Sequence, residues 1–330
     1  MQPLIGRRSA LVAAAAALAA APAIPAQAQA RKRLRFTAVF SDQDIRGEAM
    51  RGFQRDLASD FDVELHLNAT LFRQGTELVA LQRGNVEMAN LSPQDLSRQI
   101  PAWSVMASAY LFRDVDHMRK TFASDVGREF KRMAREQLNV QILGPLYFGT
   151  RQVNLRPRKR IATPADMAGI KLRMPPGETW QFLGEALGAN PTPVAFAELY
   201  TALQSGAIDG QDNPLPTSRT MRFHEVTTQF VLTSHLVAYD LLSVSGRFWD
   251  GLTAAQQEKL QAATDRVIEE STRRHLTQEQ ETAEFFKAQG LEVYAPDVEA
   301  FRAEAQRRYL ASSQSKDWPA GILERISAVR

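Results

Sequence analysis

Cysteine is absent from the 330 residues of the sequence. This absence excludes disulfide bonds, zinc sites with thiolate ligands and cysteine nucleophiles. Only five histidines occur, and no two of them lie three or four residues apart, the spacing that places two metal ligands on one helix face. The phosphate-binding, dinucleotide-binding and nucleophile-elbow glycine motifs are also missing. We therefore expect no metal, no cofactor and no recognisable catalytic centre.

An excess of charge is missing as well. The chain has 40 basic and 37 acidic residues, and Arg7 and Arg8 fall in a segment that we expect to be removed. The other 38 basic residues nearly balance the acidic ones, so the whole chain has no electrostatic reason to bind nucleic acid. Arg31, Lys32 and Arg33 form a basic run that is typical of a solvated flank.

Long hydrophobic runs are missing after residue 30. Residues 1–30 contain basic residues, an apolar stretch over residues 10–21 and small residues near the end, which is the pattern of a secretory signal peptide. The apolar stretch is too short to span a membrane, and cleavage is expected after Ala28 or Ala30. Arg7-Arg8 favours the twin-arginine export route. The sequence thus predicts a protein of the periplasm.

Hydrophobic periodicity predicts an α/β fold. Short alternating or apolar segments and amphipathic helices follow one another as βαβαβ at the start, which is typical of a mostly parallel sheet covered by helices. A single helix is predicted over residues 115–138, and a long charged one over residues 253–287. The strands are predicted at residues 34–39, 63–67, 86–91, 140–146, 149–155, 169–174, 207–209, 230–232, 236–244 and 292–294.

Two arginines and one asparagine are the candidate binding residues. Arg151 begins a predicted strand, Arg173 lies on the polar side of another, and Asn213 lies in a polar Gly-Gln-Asp-Asn-Pro segment that we interpret as a turn. Most arginines are exposed and only solvated, so each one taken alone fits a surface role. A guanidinium in a cleft, in contrast, binds a carboxylate through two parallel hydrogen bonds.

Several segments together resemble one family. They occur in the order FGTRQ, GIKLRMP, GANPTPVAFAELYTALQSGAIDGQDNP, FHEV, TSH and FWDGL. This order is similar to that of the periplasmic solute-binding proteins of TRAP transporters, in particular the dicarboxylate-binding, DctP-type proteins. The resemblance runs from about Leu34 to the end of the chain and is densest over residues 148–252; the long central segment is its most specific part.

The resemblance implies a two-lobed, type II-like periplasmic binding protein that closes on its ligand and delivers it to a membrane permease driven by an ion gradient. It implies that lobe I comprises residues 31–148 and 239–278, and lobe II residues 149–238 and 279–330, with one long helix spanning both. We expect the protein to act as a monomer.

The family motifs also imply roles for the candidate residues. Arg173 would pair with the carboxylate of a small organic acid, Arg151 would support the same group, and Asn213 would orient it. Asp212 departs from the family's usual glutamate.

Lobe I adds further candidates for the cleft. Gln74 and Ser92 stand where similar sialic-acid binders carry acids, which argues against sialic acid; both remain candidate ligand contacts. Phe148, Tyr147 and Tyr239 are candidates for an apolar wall, with core packing as the alternative role, and Phe196 and Tyr200 are assigned to the core.

Two other functions remain compatible with such a sequence. A periplasmic sensor that docks to a receptor would share the fold and the site. A secreted enzyme acting on an organic acid would need two titratable groups that converge on the cleft, and no motif indicates such a pair.

Overall fold

A computed structural model describes residues 31–330. The predicted signal peptide and both of its cleavage sites therefore lie outside the described residues. Within this range the chain forms one mixed sheet with helices on both faces, which confirms the predicted α/β class. No helix of residues 31–330 is both long enough and apolar enough to cross a membrane.

Nine strands form within residues 31–330. They are β1 (Lys32–Thr37), β2 (Phe61–His66), β3 (Met88–Leu91), β4 (Val140–Leu155), β5 (Lys171–Met174), β6 (Asn190–Pro193), β7 (Gly210–Pro214), β8 (Gln229–Ser245) and β9 (Glu292–Tyr294).

Twelve α-helices accompany these strands in the same range. They are α1 (Ile45–Leu57), α2 (Glu77–Gln82), α3 (Pro93–Ser97), α4 (Val115–Ala123), α5 (Asp125–Leu138), α6 (Glu178–Ala186), α7 (Leu199–Ser205), α8 (Leu215–Thr220), α9 (Gly246–Asp250), α10 (Ala254–Ala288), α11 (Val298–Ala311) and α12 (Ile322–Ser327).

Two long antiparallel strands organise the sheet. The strand order is β2-β1-β3-β8-β4-β7-β5-β6, and β9 pairs with β8. The parallel strands β1, β2 and β3 join the sheet through β3, which pairs with residues 241–244 of β8. The strands β7, β5 and β6 join it through β7, which pairs with residues 151–155 of β4. The β4–β8 pair therefore links two smaller α/β units, and the predicted two-lobed architecture is confirmed.

The long helix α10 connects the same two units. It packs along β4, against α1 in the first unit and against α8 and β9 in the second. Its N-terminal Thr253 forms a reciprocal capping box with Gln256. The prediction of one helix over residues 253–287 is therefore confirmed to within one residue at each end.

Three predictions of local structure are wrong. Residues 140–155 form one strand rather than two, because a bulge between Tyr147 and Gly149 kinks β4 without ending it. The two strands predicted at 230–232 and 236–244 likewise join in β8. The helix predicted over residues 115–138 is interrupted at Ser124, which ends α4 and caps the start of α5.

The polar Gly-Gln-Asp-Asn-Pro segment was also interpreted wrongly. It is strand β7 and not a turn, and each of its five residues is buried between β4 and β5. The strand predicted at residues 207–209 starts three residues later. Polar residues are tolerated inside the sheet here because their side chains hydrogen-bond to one another and to neighbouring strands.

Candidate functional site

A cleft opens where several strands end. The space free of protein atoms amounts to about 660 Å³, including the open mouth. Segments that directly follow β1, β3 and β5 reach it, as expected for ligand sites at the carboxyl ends of parallel strands. The lining residues that the site description uses are Phe40, Arg46, Gln74, Glu77, Asn90, Ser92, Asp95, Phe148, Arg151, Arg173, Trp180, Phe196, Asn213 and Asp240.

Arg173 is a buried cation that lacks an acidic partner. Its side chain is almost completely inaccessible, and no salt bridge to it forms within residues 31–330. Its Nε donates to the carbonyl oxygen of Val194 at 2.8 Å, and its Nη2 donates to Gln74 Oε1 at 3.2 Å. Burial, together with repulsion by Arg151, lowers the pKa of Arg173 to about 9. An anionic ligand would supply the missing countercharge.

Arg151, in contrast, is neutralised by Asp212. Its Nε and Nη2 donate to the two carboxylate oxygens at 2.6 and 3.0 Å, and the guanidinium lies 5.0 Å from the ring centre of Trp180. His235 Nε2 lies 3.0 Å from the same carboxylate. Burial alone would raise the pKa of Asp212, but attraction by Arg151 and the hydrogen bonds of His235 and Arg151 hold it below its usual range. Arg151 reaches the cleft as half of an ion pair.

Strand β7 positions this ion pair and a neighbouring amide network. Asn213 Nδ2 donates to Gln211 Oε1 at 2.6 Å, and Gln211 Nε2 donates to Asn154 Oδ1 at 3.1 Å. Because side chains alternate along a strand, Asp212 points to the opposite face, towards Arg151. The polar segment therefore contributes Asn213 to the wall of the cleft and, through Asp212, holds Arg151 in place.

The opposite wall contains a third buried arginine, Arg46, which sequence reasoning missed. Arg46 donates to both carboxylate oxygens of Asp44 at 2.9 Å and to Asp240 Oδ2 at 2.7 Å. Its guanidinium carbon lies 4.5 and 4.1 Å from the ring centres of Phe40 and Phe148. Burial raises the pKa of Asp240 in spite of Arg46. Asp240 is a single acidic residue in the otherwise mostly apolar second half of β8. Because a buried charge needs a partner, its presence could have predicted a buried cation such as Arg46.

Two further acids line this wall and were also missed. Glu77 Oε2 accepts a hydrogen bond from the Gly75 amide at 2.7 Å, whereas its buried Oε1 has no partner among residues 31–330. Asp95 Oδ2 accepts from the Ser92 amide and hydroxyl at 2.9 and 2.7 Å. Burial and the like charge of Asp95 raise the pKa of Glu77 to about 8. Asn90 Oδ1 is buried there and has no partner in the described part of the chain either.

The structure brings together six of the seven residues predicted for the site. Arg173, Arg151, Asn213, Gln74, Ser92 and Phe148 line one cleft.

Tyr239 is the exception. It lies in the core behind the cleft, where its hydroxyl donates to the Met106 carbonyl at 2.7 Å and its ring packs against Phe112 and Phe122. Phe196, which we assigned to the core, packs there but also lines the cleft.

The two walls contact each other across the cleft. Gln74 Oε1 accepts a hydrogen bond from the Phe196 amide at 2.8 Å, in addition to the one from Arg173. Ser97 and Thr179 share a hydrogen bond of 2.7 Å between their hydroxyl oxygens. Because these contacts join the unit of β1 and β3 to the unit of β5 and β7, the described conformation is closed.

The fold and the cleft define a class of protein: a two-lobed binder with buried guanidinium groups facing an enclosed site. The family model named DctP, bacterial extracellular solute-binding protein family 7, matches residues 36–316. The chain therefore belongs to this family, which is confirmed as the one indicated by the motifs. It is a TRAP solute-binding protein of the kind that captures small organic acids.

Individual relatives agree with this assignment. The chain is 33% identical over 251 residues to the sialic acid-binding periplasmic protein SiaP of Vibrio cholerae, covering 76% of this chain and 77% of that protein. It is 26% identical to the 2,3-diketo-L-gulonate-binding periplasmic protein YiaO of Escherichia coli, covering 91% and 93%. These relatives are periplasmic binding proteins, not enzymes.

Solved structures give the same result. A TRAP periplasmic solute-binding protein of Roseobacter denitrificans, with bound 3-deoxy-D-manno-oct-2-ulosonic acid (KDO), superposes with a TM-score of 0.89 and 41% identity, covering 91% of this chain and all of that chain. Another, from Polaromonas with bound D-erythronate, has a TM-score of 0.83 and 25% identity, covering 91% and 99%.

Proposed function

We propose that this protein captures a sugar acid with a single carboxylate, of the KDO type, and delivers it to a TRAP permease. One observation carries the proposal: Arg173 is a buried cation in the cleft without an acidic partner, beside the cationic edge of the Arg151–Asp212 pair. A carboxylate there would receive charge-assisted hydrogen bonds in a site from which water is largely excluded. Asn213, on the neighbouring strand, would orient it.

The other wall favours a ligand that carries hydroxyl groups. Gln74, Ser92, Asn90 and several acids line that wall, and they are dominated by hydrogen-bond acceptors. A purely hydrocarbon chain would leave them unpaired, which is costly in a buried site. The ligand of the structure from Roseobacter denitrificans that is 41% identical has both a carboxylate and hydroxyl groups.

The cleft would open by a hinge in the β4–β8 pair. We propose lobe I as residues 31–148 with 239–278, and lobe II as residues 149–238 with 279–330. The helix α12 departs from this division, because its Ile322 and Ile326 pack in the core of lobe I and Arg325 pairs with Glu129 of α5. The bulge at Tyr147 and Gly149 supports this boundary, because Gly149 has a φ of 117° and the strand bends there. Opening would break the Gln74–Phe196 and Ser97–Thr179 contacts.

Three further properties complete the proposal. We propose that the protein is a monomer, that it performs no catalysis, and that Arg7-Arg8 directs export by the twin-arginine route. Within residues 31–330, no group of three or more metal-ligating side chains is arranged to hold an ion. A turnover assay with the bound acid tests the second property, and export from a strain that lacks the twin-arginine translocase tests the third.

The central test is calorimetric titration of residues 31–330 after unfolding and refolding to remove any bound ligand. KDO, N-acetylneuraminate, succinate and the neutral polyol mannitol are the probes. We expect KDO to bind best and mannitol not to bind, since it has no carboxylate for Arg173. Arg173→Met should weaken KDO binding by at least about thirtyfold, whereas Arg158→Met, in an exposed loop, should not change it. Equal binding of mannitol and KDO would contradict the proposal.

A further inference from the structure

Charge is distributed unequally between the two walls of the cleft. The wall formed by β4, β5 and β7 contributes Arg151 and Arg173, and the facing wall contributes three acids, Glu77, Asp95 and Asp240, with Arg46 behind them. Asp240 is paired with Arg46, but no salt bridge involves Glu77 or Asp95 within residues 31–330. The cleft is therefore cationic on one side and acidic on the other.

Glu77 is the acid that faces the cleft without a partner. Only 3% of the residue is exposed, and within residues 31–330 its Oε1 has no hydrogen-bond partner. Its other oxygen is held by the Gly75 amide at 2.7 Å, which fixes the orientation of the carboxyl group. A buried polar atom that lacks a partner and lines a ligand cleft points to a group that the ligand supplies.

We infer that Glu77 binds a hydroxyl group at the far end of the ligand and rejects a second carboxylate there. The inference rests on the proposed function, because the first carboxylate is assumed to lie at Arg173. It adds to that function a residue that determines specificity: Glu77 would separate sugar acids with one carboxylate from diacids of the same length.

The reason lies in what each group can donate and accept. A neutral carboxyl group donates and accepts a hydrogen bond, and an ionised one only accepts. A hydroxyl group fits both states, whereas a second carboxylate fits only the neutral state and an ammonium group only the ionised one. Asn90 Oδ1, a second buried acceptor without a protein partner in the cleft, also favours a donor from the ligand.

The protonation state of Glu77 changes in a measurable range. Burial and the like charge of Asp95 place its pKa near 8, so Glu77 is neutral at pH 6 and mostly ionised at pH 9. The charged groups around the cleft that face it are Asp95 of α3, Asp240 of β8, Arg46 of α1, Arg151 of β4 and Arg173 of β5. Rejection of a second carboxylate should therefore become stronger as the pH rises.

The test compares galactonate with galactarate, which differ only in whether the terminal carbon is a hydroxymethyl group or a carboxylate. For the wild type we expect galactarate to bind at least about tenfold more weakly at pH 9, with a smaller difference at pH 6, as for a lost charge-assisted hydrogen bond. In Glu77→Gln the ratio of the two affinities should not change with pH. Glu185→Gln, on the exposed face of α6, is the matched control and should behave as the wild type.

A second experiment measures KDO affinity and does not depend on whether galactonate and galactarate bind. Glu77→Ala should weaken KDO binding about tenfold, since the hydroxyl group would lose its buried partner. The inference is overturned if Glu77→Ala binds KDO as tightly as the wild type does. It is also overturned if galactarate binds as well as galactonate at pH 9, or if Glu77→Gln keeps the pH dependence. A wild type that binds none of the three acids would refute the proposed function itself.

Discussion

Replacing Arg173 with methionine should remove ligand binding without destabilising the empty protein. Methionine fills much of the same space, but it has no charge and no hydrogen-bond donors. Burial lowers the pKa of Arg173 from its ordinary value to about 9 in the folded protein. Each pKa unit corresponds to 1.36 kcal/mol, so keeping this cation charged in the empty cleft costs about 4–5 kcal/mol of folding free energy. Below pH 9 the group is charged whether folded or unfolded, so the cost is present in full at pH 7.

The substitution also has costs of its own. It removes the hydrogen bonds to the Val194 carbonyl and to Gln74, at about 1–2 kcal/mol each. The two effects nearly offset each other, so the free energy of unfolding should stay the same or rise by about 1–3 kcal/mol. Binding of KDO should weaken by about 2–5 kcal/mol, or roughly thirtyfold to several thousandfold, because the carboxylate would lose its cation.

Urea unfolding of the empty protein and calorimetric titration with KDO measure the two quantities separately. Arg151→Met is the informative comparison, since Arg151 is paired with Asp212 and its removal leaves a buried carboxylate without its cation. That variant should lose about 3–5 kcal/mol of stability. The reasoning is refuted if Arg173→Met destabilises the empty protein as much as Arg151→Met does, or if it binds KDO as the wild type does.

Three further substitutions test other parts of the structure. Asp212→Asn leaves the buried cation of Arg151 without its carboxylate and should lower the free energy of unfolding by about 3–5 kcal/mol in urea. Because the pKa of Glu77 rises from 4.5 to about 8 on folding, its contribution to stability is complete below pH 4.5 and is lost as the pH rises to 8. The free energy of unfolding of Glu77→Gln, measured relative to that of the wild type, should therefore rise by roughly 4 kcal/mol between pH 4.5 and pH 8. If the two proteins lose stability with pH at the same rate, this prediction is wrong. Gly149→Ala places a Cβ 2.6 Å from Pro214 Cβ at a φ of 117°, and should lower stability by about 2–4 kcal/mol, seen as a reduced melting temperature.

The hydrophobic pattern of the sequence predicted most helices and strands, but not the points at which one element ends and the next begins. The βαβαβ start, the long helix α10 and the two arginines in the cleft follow from periodicity, capping residues and motif order. Strand β4 was predicted as two strands because its bulge resembles a strand end in the sequence, whereas pairing with β8 continues on both sides of it. The break at Ser124 was missed because helical sequence continues on both sides of it. Strand β7 was missed because a buried polar strand has the composition of a turn, and only its partners on β4 distinguish the two.

The amino-acid sequence, through its resemblance to one family, was enough to indicate the family and the two-lobed α/β fold, and to single out Arg151 and Arg173 as candidate site residues. Only the tertiary structure decided which of these cations is already neutralised. Asp212 lies 61 residues from Arg151, and Asp240 lies 194 residues from Arg46, yet each pair forms a buried salt bridge. Charge pairing over such separations depends on strand register and crossing, which local periodicity does not report. Within residues 31–330 neither Arg173 nor Glu77 forms a salt bridge, and the two residues line opposite walls of the cleft.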